Sequence, residues 1–456
     1  MTDPTAFVRV SPRDPRYLEL SDGRPYIPIG LNMVSPWLPG RAPTADGAEE
    51  FALMERWMRA LAANGGNYVR VWLALGIWNV ERQRAGVYDE EPARRVDAML
   101  GLACALGIRV KMTFEYFREI DPALSKTTWA MCPLHHRSRG GTAGSIAEWF
   151  DGEESRAQFR RKMAWYAARY GAEPAVYGWE LWNEIECVQG GDFMAWTQAM
   201  LSELHRLFPR NLCMQSLGSF DAPGKRDLYR RLSTMPGNDL AQVHRYLDLG
   251  AALEVCHGPV DVLAADAVRE VLAFAPGRPV ILAESGAVEP SHAGPFKLYA
   301  ADRDGVILHD VLFAPFFAGA AGGGQCWHWS DYVDPNDLWW QFGRFAQAVQ
   351  DLDPPAEGFR PSMIAHERLR VYALTGRRAV LAWCRDRENT WTSELRDGVP
   401  PETLEGLEVD LPMPPAARVR TYDPWTDEWA EATPRGGRIV LPAFRRSIVV
   451  RVDTEG

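Results

Sequence analysis

Short apolar runs rich in β-branched and aromatic residues alternate with longer segments whose apolar positions recur every three to four residues, the pattern of repeated strand and helix units. The runs begin at Tyr26 (YIPIGL), Asn67 (NYVRVWL), Ile108 (IRVKMTF), Val176 (VYGWELW), Asn211 (NLCMQSL), Leu240 (LAQVHRY), Pro279 (PVILAES) and Gly324 (GQCWHWS). The intervening segments predict amphipathic helices over Glu49 to Ala63, Glu91 to Leu106, Ser155 to Tyr170, Phe193 to Leu207 and Ala264 to Ala275. Several open after Asp, Ser or Glu and stop at Gly or Pro, as capping requires. Eight strands with helical crossovers, and no GxGxxG turn after the first, predict an α/β fold closed into a (β/α)8 barrel rather than an open sheet. Phe7 to Leu20 predicts a small strand pair that closes the barrel floor.

Near residue 352 the pattern changes. DLDPPAEGFRP is a proline-rich connector, and beyond it short alternating runs (RLRVYAL, AVLAWC, ARVRTYD, RIVLPAF) are broken by turn residues. The chain therefore divides into a barrel with a short N-terminal β cap over 1–352 and an all-β sandwich over 353–456. The longest strand-to-helix connection, Arg118 to Glu154, carries Trp129, Cys132, His135 and His136, and loops of that size are functional or mobile.

Composition narrows the function. The 18 tryptophans among 456 residues exceed ordinary usage and point to deep packing or to flat ring faces on which a ligand stacks. The net charge of −10 is spread over dispersed Asp and Glu, and no Lys/Arg stripe forms, which disfavours nucleic acid as a partner. No apolar run reaches the roughly 18 residues that span a bilayer, and the start MTDPTAFVRV lacks signal-peptide regions, so no membrane partner and a cytoplasmic location are expected. Oligomeric state has no sequence signature here. Seven cysteines, scattered without a CxxC pair, read as reduced thiols in packed positions. Neighbouring His135 and His136 point apart and lack an i,i+4 partner, so no metal is expected there.

Chemistry in such a barrel is built at the carboxyl ends of the strands. The fourth run ends Trp182-Asn183-Glu184 and the seventh Ala283-Glu284-Ser285. Two rim carboxylates facing each other across the barrel mouth are what glycoside hydrolysis needs, one to protonate the leaving oxygen and one to meet the oxocarbenium-like carbon.

WNE on strand four, AESG on strand seven, Arg70 within NYVRVWL and His244-Arg245-Tyr246 on strand six resemble, in order and position, the pattern of clan A glycoside hydrolases, above all family 5. The match runs over roughly residues 20 to 350. The resemblance implies a TIM barrel and a retaining double displacement in which Glu184 is the general acid/base and Glu284 the nucleophile. It further implies that Asn183 binds the hydroxyl next to the anomeric carbon, that Arg70 sits under Glu284 and holds it ionised, and that Tyr246 donates to Glu284 while His244 lines the site near Glu184. Trp329, at the end of CWHWS, resembles the platform under the innermost sugar, with Trp327 assigned to the core.

The expected function is that of a retaining glycosidase needing no metal or organic cofactor. It would act on a β-type bond of a neutral oligosaccharide or small glycoside, with exo action if the long loop after strand three closes one end of the cleft. A carbohydrate-binding barrel without turnover and a transglycosylase using the same carboxylates are the alternatives. A general acid must hold its proton near neutrality, so a raised pKa is expected at Glu184 from its Trp-rich setting and from the charge of Glu284. Glu180, an even number of positions before the rim, should point into the barrel and pair with Arg70 or a buried hydroxyl. Glu186 reads as an ordinary loop residue, and Trp37 and Glu115 as substrate contacts or loop anchors.

Overall fold

The computed structural model describes residues 5–36, 44, 46–116, 134–188, 190–413, 417–432, 434–435 and 437–453. Five parallel strands form one ladder in chain order: Gly30–Asn32, Tyr68–Trp72, Arg109–Glu115, Val176–Trp182 and Leu212–Met214. The sixth, Ala241–His244, pairs in parallel with the seventh, Val280–Glu284. Asp239 joins the fifth to the sixth, its N–H donating to Cys213 O at 2.9 Å and its carboxylate accepting from Cys213 N at 2.7 Å. The eighth run completes the ring through Cys326, which bridges both Leu31 of the first strand and Ser285 after the seventh. The result is a closed (β/α)8 barrel.

Two runs behave differently from their sequence pattern. Pro25–Tyr26 pairs with Leu18–Leu20, itself antiparallel to Val8–Val10, so Tyr26 belongs to the floor sheet and the first barrel strand starts only at Gly30. Pro28 interrupts the apolar run, since proline has no ladder donor. In the eighth run, single bridges replace a ladder, and Trp329–Val333 coils into one π-helical turn. The floor itself is aromatic: Tyr177 lies 6.1 Å from Tyr26 and 5.1 Å from Tyr68, ring centre to ring centre.

The five expected helices stand within a few residues of their predicted bounds, as Ala48–Ala63, Glu90–Leu106, Glu153–Tyr170, Phe193–Leu207 and Val260–Phe274. Asp89 caps the second through its side chain, and Gly107 ends it at φ 72°, a left-handed position that favours glycine. Arg226–Ser233, Val306–Phe317 and Trp340–Ala348 are further helices among the described residues. Val306–Phe317 is buried at every position, because the barrel lies on one side and a β-sheet on the other, so it has no polar face and no amphipathic period.

That β-sheet is antiparallel and six-stranded, in the order Arg360–Ile364, Leu369–Thr375, Ala379–Asp386, Ser447–Asp453, Arg418–Asp423, Glu428–Glu431. Strand alternation sends Val371, Ala382 and Val450 into a core shared with two small sheets, and Tyr372, Trp383 and Val449 toward the barrel. Buried ion pairs cross the junction: Arg385 Nε lies 2.8 Å from Asp310, and Arg370 Nε 2.5 Å from Asp261. No helix among the described residues is long and apolar enough to cross a membrane.

Candidate active site

Period-two alternation brings the polar residues of several strands to one point inside the barrel. Arg70 on the second strand is fully buried; its Nη1 lies 2.5 Å from Glu284 Oε1, its Nη2 2.5 Å from Glu180 Oε2 and 2.6 Å from Asn183 Oδ1. Glu180 also accepts from Thr113 Oγ1 at 2.6 Å and from Gln242 Nε2 at 3.1 Å, and Lys111 Nζ lies 3.2 Å away. The buried Glu180 thus has both a cation and a hydroxyl, and these hold its carboxyl far below the usual range. Because Asn183 presents its carbonyl to Arg70, its amide N–H groups are left for the pocket.

The two rim carboxylates meet around one imidazole. His244 Nδ1 lies 2.8 Å from Glu184 Oε1 and 3.4 Å from Glu284 Oε2, and one oxygen of each carboxylate comes within 4.8 Å of the other. Tyr246, two residues along the same strand face, donates to Glu284 Oε2 at 2.8 Å. Arg245 between them points outward to Asp266 at 2.6 Å. Glu184 itself sits at φ 52°, ψ 53°, a left-handed backbone that an ordinary residue adopts only under constraint. Its N–H donates to Ser216 Oγ at 3.2 Å. All six predicted polar residues, Arg70, Asn183, Glu184, His244, Tyr246 and Glu284, are therefore brought together.

Trp329 is not. It is 1% exposed and packs edge-on against Trp57 and Trp327, at 6.3 and 5.6 Å, behind the wall of the site. The pocket, about 420 Å³, is faced instead by Trp327 and Trp72, whose rings lie 5.2 Å apart, together with His292, His328 and Asp331. The π-helical turn at Trp329 ends the alternation, so the last aromatic of CWHWS rotates into the core and Trp327 takes the exposed position. Trp72 was legible, two residues beyond Arg70 on the same strand face. His292 and Asp331 come from irregular segments with no period to reveal them.

Burial pushes Glu184 up to about 7, and the second contribution is the charge of Glu186 rather than that of Glu284. Glu186 is no ordinary loop residue: its carboxylate accepts from Gly218 N at 2.8 and 2.9 Å and lies 3.5 Å from Lys225. Glu284 departs from expectation too. Burial and the neighbouring Glu184 carry its pKa above the ordinary value, against the opposing pull of His244, Arg70 and the Tyr246 hydroxyl. Burial holds His244 down to about 4, so a neutral ring sits between the two carboxyls. Burial and the Arg70 charge lower Lys111 to about 7.

Among the described residues, two sets of donors lie close enough to share an ion: Glu184, His244 and Glu284, and, near the floor, His205, Cys213 and Asp239. Both are already tied by internal hydrogen bonds, His244 to Glu184 and His205 Nε2 to Gly237 O at 3.0 Å. Glu115 is a buried anchor, with Lys162 Nζ at 2.6 Å and His135 Nε2 at 3.3 Å. Trp37, Trp129 and Cys132 lie outside the described residues.

No protein-family model matches the chain. It is 25% identical over 354 residues to "Putative mannan endo-1,4-beta-mannosidase 5" of Oryza sativa subsp. japonica, covering 68% of this chain and 69% of that one. Among solved structures, one titled "Glycoside hydrolase" superposes with a TM-score of 0.61 at 14% identity, over 99% of this chain and 97% of the other. An exo-beta-1,4-mannosidase from Opitutaceae bacterium strain TAV5 superposes at 0.52 and 18% identity, over 75% and 62%. Together with the carboxylate pair these similarities support a glycosidase, and fold and site are consistent with the clan A type. Within that clan the chain is most similar to family 5.

Proposed function

We propose that the protein is a retaining β-glycosidase that works by double displacement, with Glu284 as nucleophile and Glu184 as general acid and then base. The approach of the two carboxylates to within 4.8 Å around His244 carries this reading. Retention uses carboxyls about 5 to 5.5 Å apart, whereas inversion needs about 6.5 to 9.5 Å to admit a water. Glu184, pushed up to about 7, keeps a proton for the leaving oxygen near neutrality. With that proton in place the like charge beside Glu284 is gone, and Arg70 and Tyr246 favour its ionised, attacking form. The Asn183 amide then binds the hydroxyl beside the anomeric carbon, and Trp327, rather than Trp329, flanks the sugar ring.

The relatives' names favour β-mannosides as substrate. Those names include both endo and exo enzymes, while a pocket of about 420 Å³ suits a chain end or small glycoside, so we read the action as exo. Residues 353–456 support the barrel through the buried ion pairs at Asp310 and Asp261. The test is a panel of 4-nitrophenyl glycosides with the product anomer followed by NMR. Release of the β-anomer first from a β-mannoside is the expected result; release of the α-anomer first would overturn retention, and no turnover of any β-glycoside would overturn the enzyme reading.

A further inference from the structure

The pocket wall holds two histidines outside the carboxylate machinery, and they differ in what their nitrogens are free to do. His292 is used at both: Nδ1 lies 2.9 Å from Asp248 Oδ2 and Nε2 3.0 Å from Ser219 Oγ. His328 is used at one. Its Nδ1 lies 3.1 Å from the Tyr299 hydroxyl, and no hydrogen bond among the described residues reaches its Nε2. That atom is also not among the buried polar atoms sealed from solvent without a partner, although the ring as a whole is 5% exposed. His328 is one of the residues that line the pocket.

The tautomer follows from the hydrogen bonds. The N–H of Ala287 can only donate, and it does so to the Tyr299 oxygen at 2.6 Å. That bond takes one acceptor site of the hydroxyl and leaves its own proton to be placed, and His328 Nδ1, at 3.1 Å, is the hydrogen-bond acceptor within reach, so we infer that Tyr299 donates to it. With Tyr299 as donor, the proton of the neutral ring is on Nε2. Tyr299 is itself held by stacking on Tyr332, with centroids 4.0 Å apart, so the chain Ala287, Tyr299, His328 is rigid from backbone to ring. We propose that His328 donates from Nε2 to one hydroxyl oxygen of the sugar in the innermost subsite, in the tautomer imposed by Tyr299, and so helps determine which sugar is accepted.

The inference rests on the glycosidase reading for its ligand, a neutral pyranoside, but the tautomer does not. A fixed neutral donor suits this task, because a hydroxyl oxygen that meets it is rewarded and a sugar lacking that hydroxyl leaves a buried donor unpaired. Burial, with a smaller contribution from His292, holds the His328 pKa down to about 3, so the ring stays neutral across the working range. His328 also lies 6.4 Å from Tyr246, the partner of Glu284, so the reading point is beside the nucleophile rather than at the mouth.

The experiment has two arms. Nitrogen-15 NMR of the free protein should show His328 protonated at Nε2, with that bias lost in Tyr299→Phe; protonation at Nδ1 in the wild type would overturn the proposal whatever the enzyme does. In the second arm, kcat/KM is measured for 4-nitrophenyl β-mannoside and its monodeoxy analogues with wild type, His328→Phe and His328→Gln. The expected result is an about 10- to 100-fold loss for His328→Phe on the full sugar, absent for one deoxy analogue. Partial recovery is expected in His328→Gln, whose amide places a donor near the same point. An equal loss on every analogue, or no loss, would overturn it. If the wild type turns over no glycoside, the function reading falls, and the NMR arm still decides the tautomer.

Discussion

Arg70 and Glu284 form an ion pair at 2.5 Å, with side chains 0% and 4% exposed. The same guanidinium binds Glu180 and Asn183, so one cation couples the barrel interior to the catalytic rim. Arg70→Met would strip Glu284 of its guanidinium partner and leave Glu180 with Lys111 alone. The expected outcome is a loss of about 3 to 5 kcal/mol in unfolding free energy, read by chemical denaturation, together with near-complete loss of turnover.

Glu186→Gln tests what sets the proton on Glu184. Removing a neighbouring negative charge lowers a carboxyl pKa, so the basic limb of kcat/KM against pH should move to lower pH from its position near 7. The acid limb, belonging to Glu284, should move less. An unshifted basic limb would assign it to another group.

Glu184 also links stability to pH. A carboxyl whose folded pKa is raised from 4.5 to about 7 favours the folded state fully below pH 4.5, and that contribution is lost as pH rises through 7. Glu184→Gln has no proton to lose at this position. It should therefore be more stable than wild type at pH 8 by an amount on the order of 3 kcal/mol, and should differ little at pH 4, as measured by urea unfolding at both pH values.

The two tryptophans of CWHWS should separate cleanly. Trp329→Ala opens a cavity in a fully packed site and should cost about 3 to 5 kcal/mol of stability. Trp327→Ala, at the pocket face, should leave stability much nearer wild type and raise KM about ten-fold through loss of the sugar-facing ring.

At the junction with the C-terminal sheet, Arg385→Met strips Asp310 of its buried partner. A destabilisation of about 3 to 5 kcal/mol in a single cooperative unfolding transition is expected. Two separated transitions in calorimetry would mean that barrel and sheet unfold independently.

Much of this was legible in the residues because strand alternation is a strict rule. Arg70 and Glu180 follow from counting along ladders, and the same count puts Trp72 on the inner face, whereas Asn183 and Glu184 are adjacent residues beyond the last paired residue, Trp182, and turn inward together through the left-handed backbone of Glu184. The count fails where the backbone leaves the ladder. Trp329 was misplaced by the π-helical turn, and the wholly buried helix Val306–Phe317 carries no period because both its sides are covered. The role of Glu186 depends on Gly218 and Lys225, residues more than thirty positions away that only the fold brings close. The hydrogen-bond chain through Tyr299 is equally non-local.

The central claim is that Glu284 attacks the anomeric carbon while Glu184 manages the proton. It is tested most directly by incubating the protein with an activated 2-deoxy-2-fluoro-β-mannoside and mapping the labelled peptide by mass spectrometry. The account predicts a stable glycosyl ester on Glu284, formed in wild type and absent in Glu284→Ala. A label on any other residue, or turnover of the parent β-mannoside through direct inversion, would contradict it.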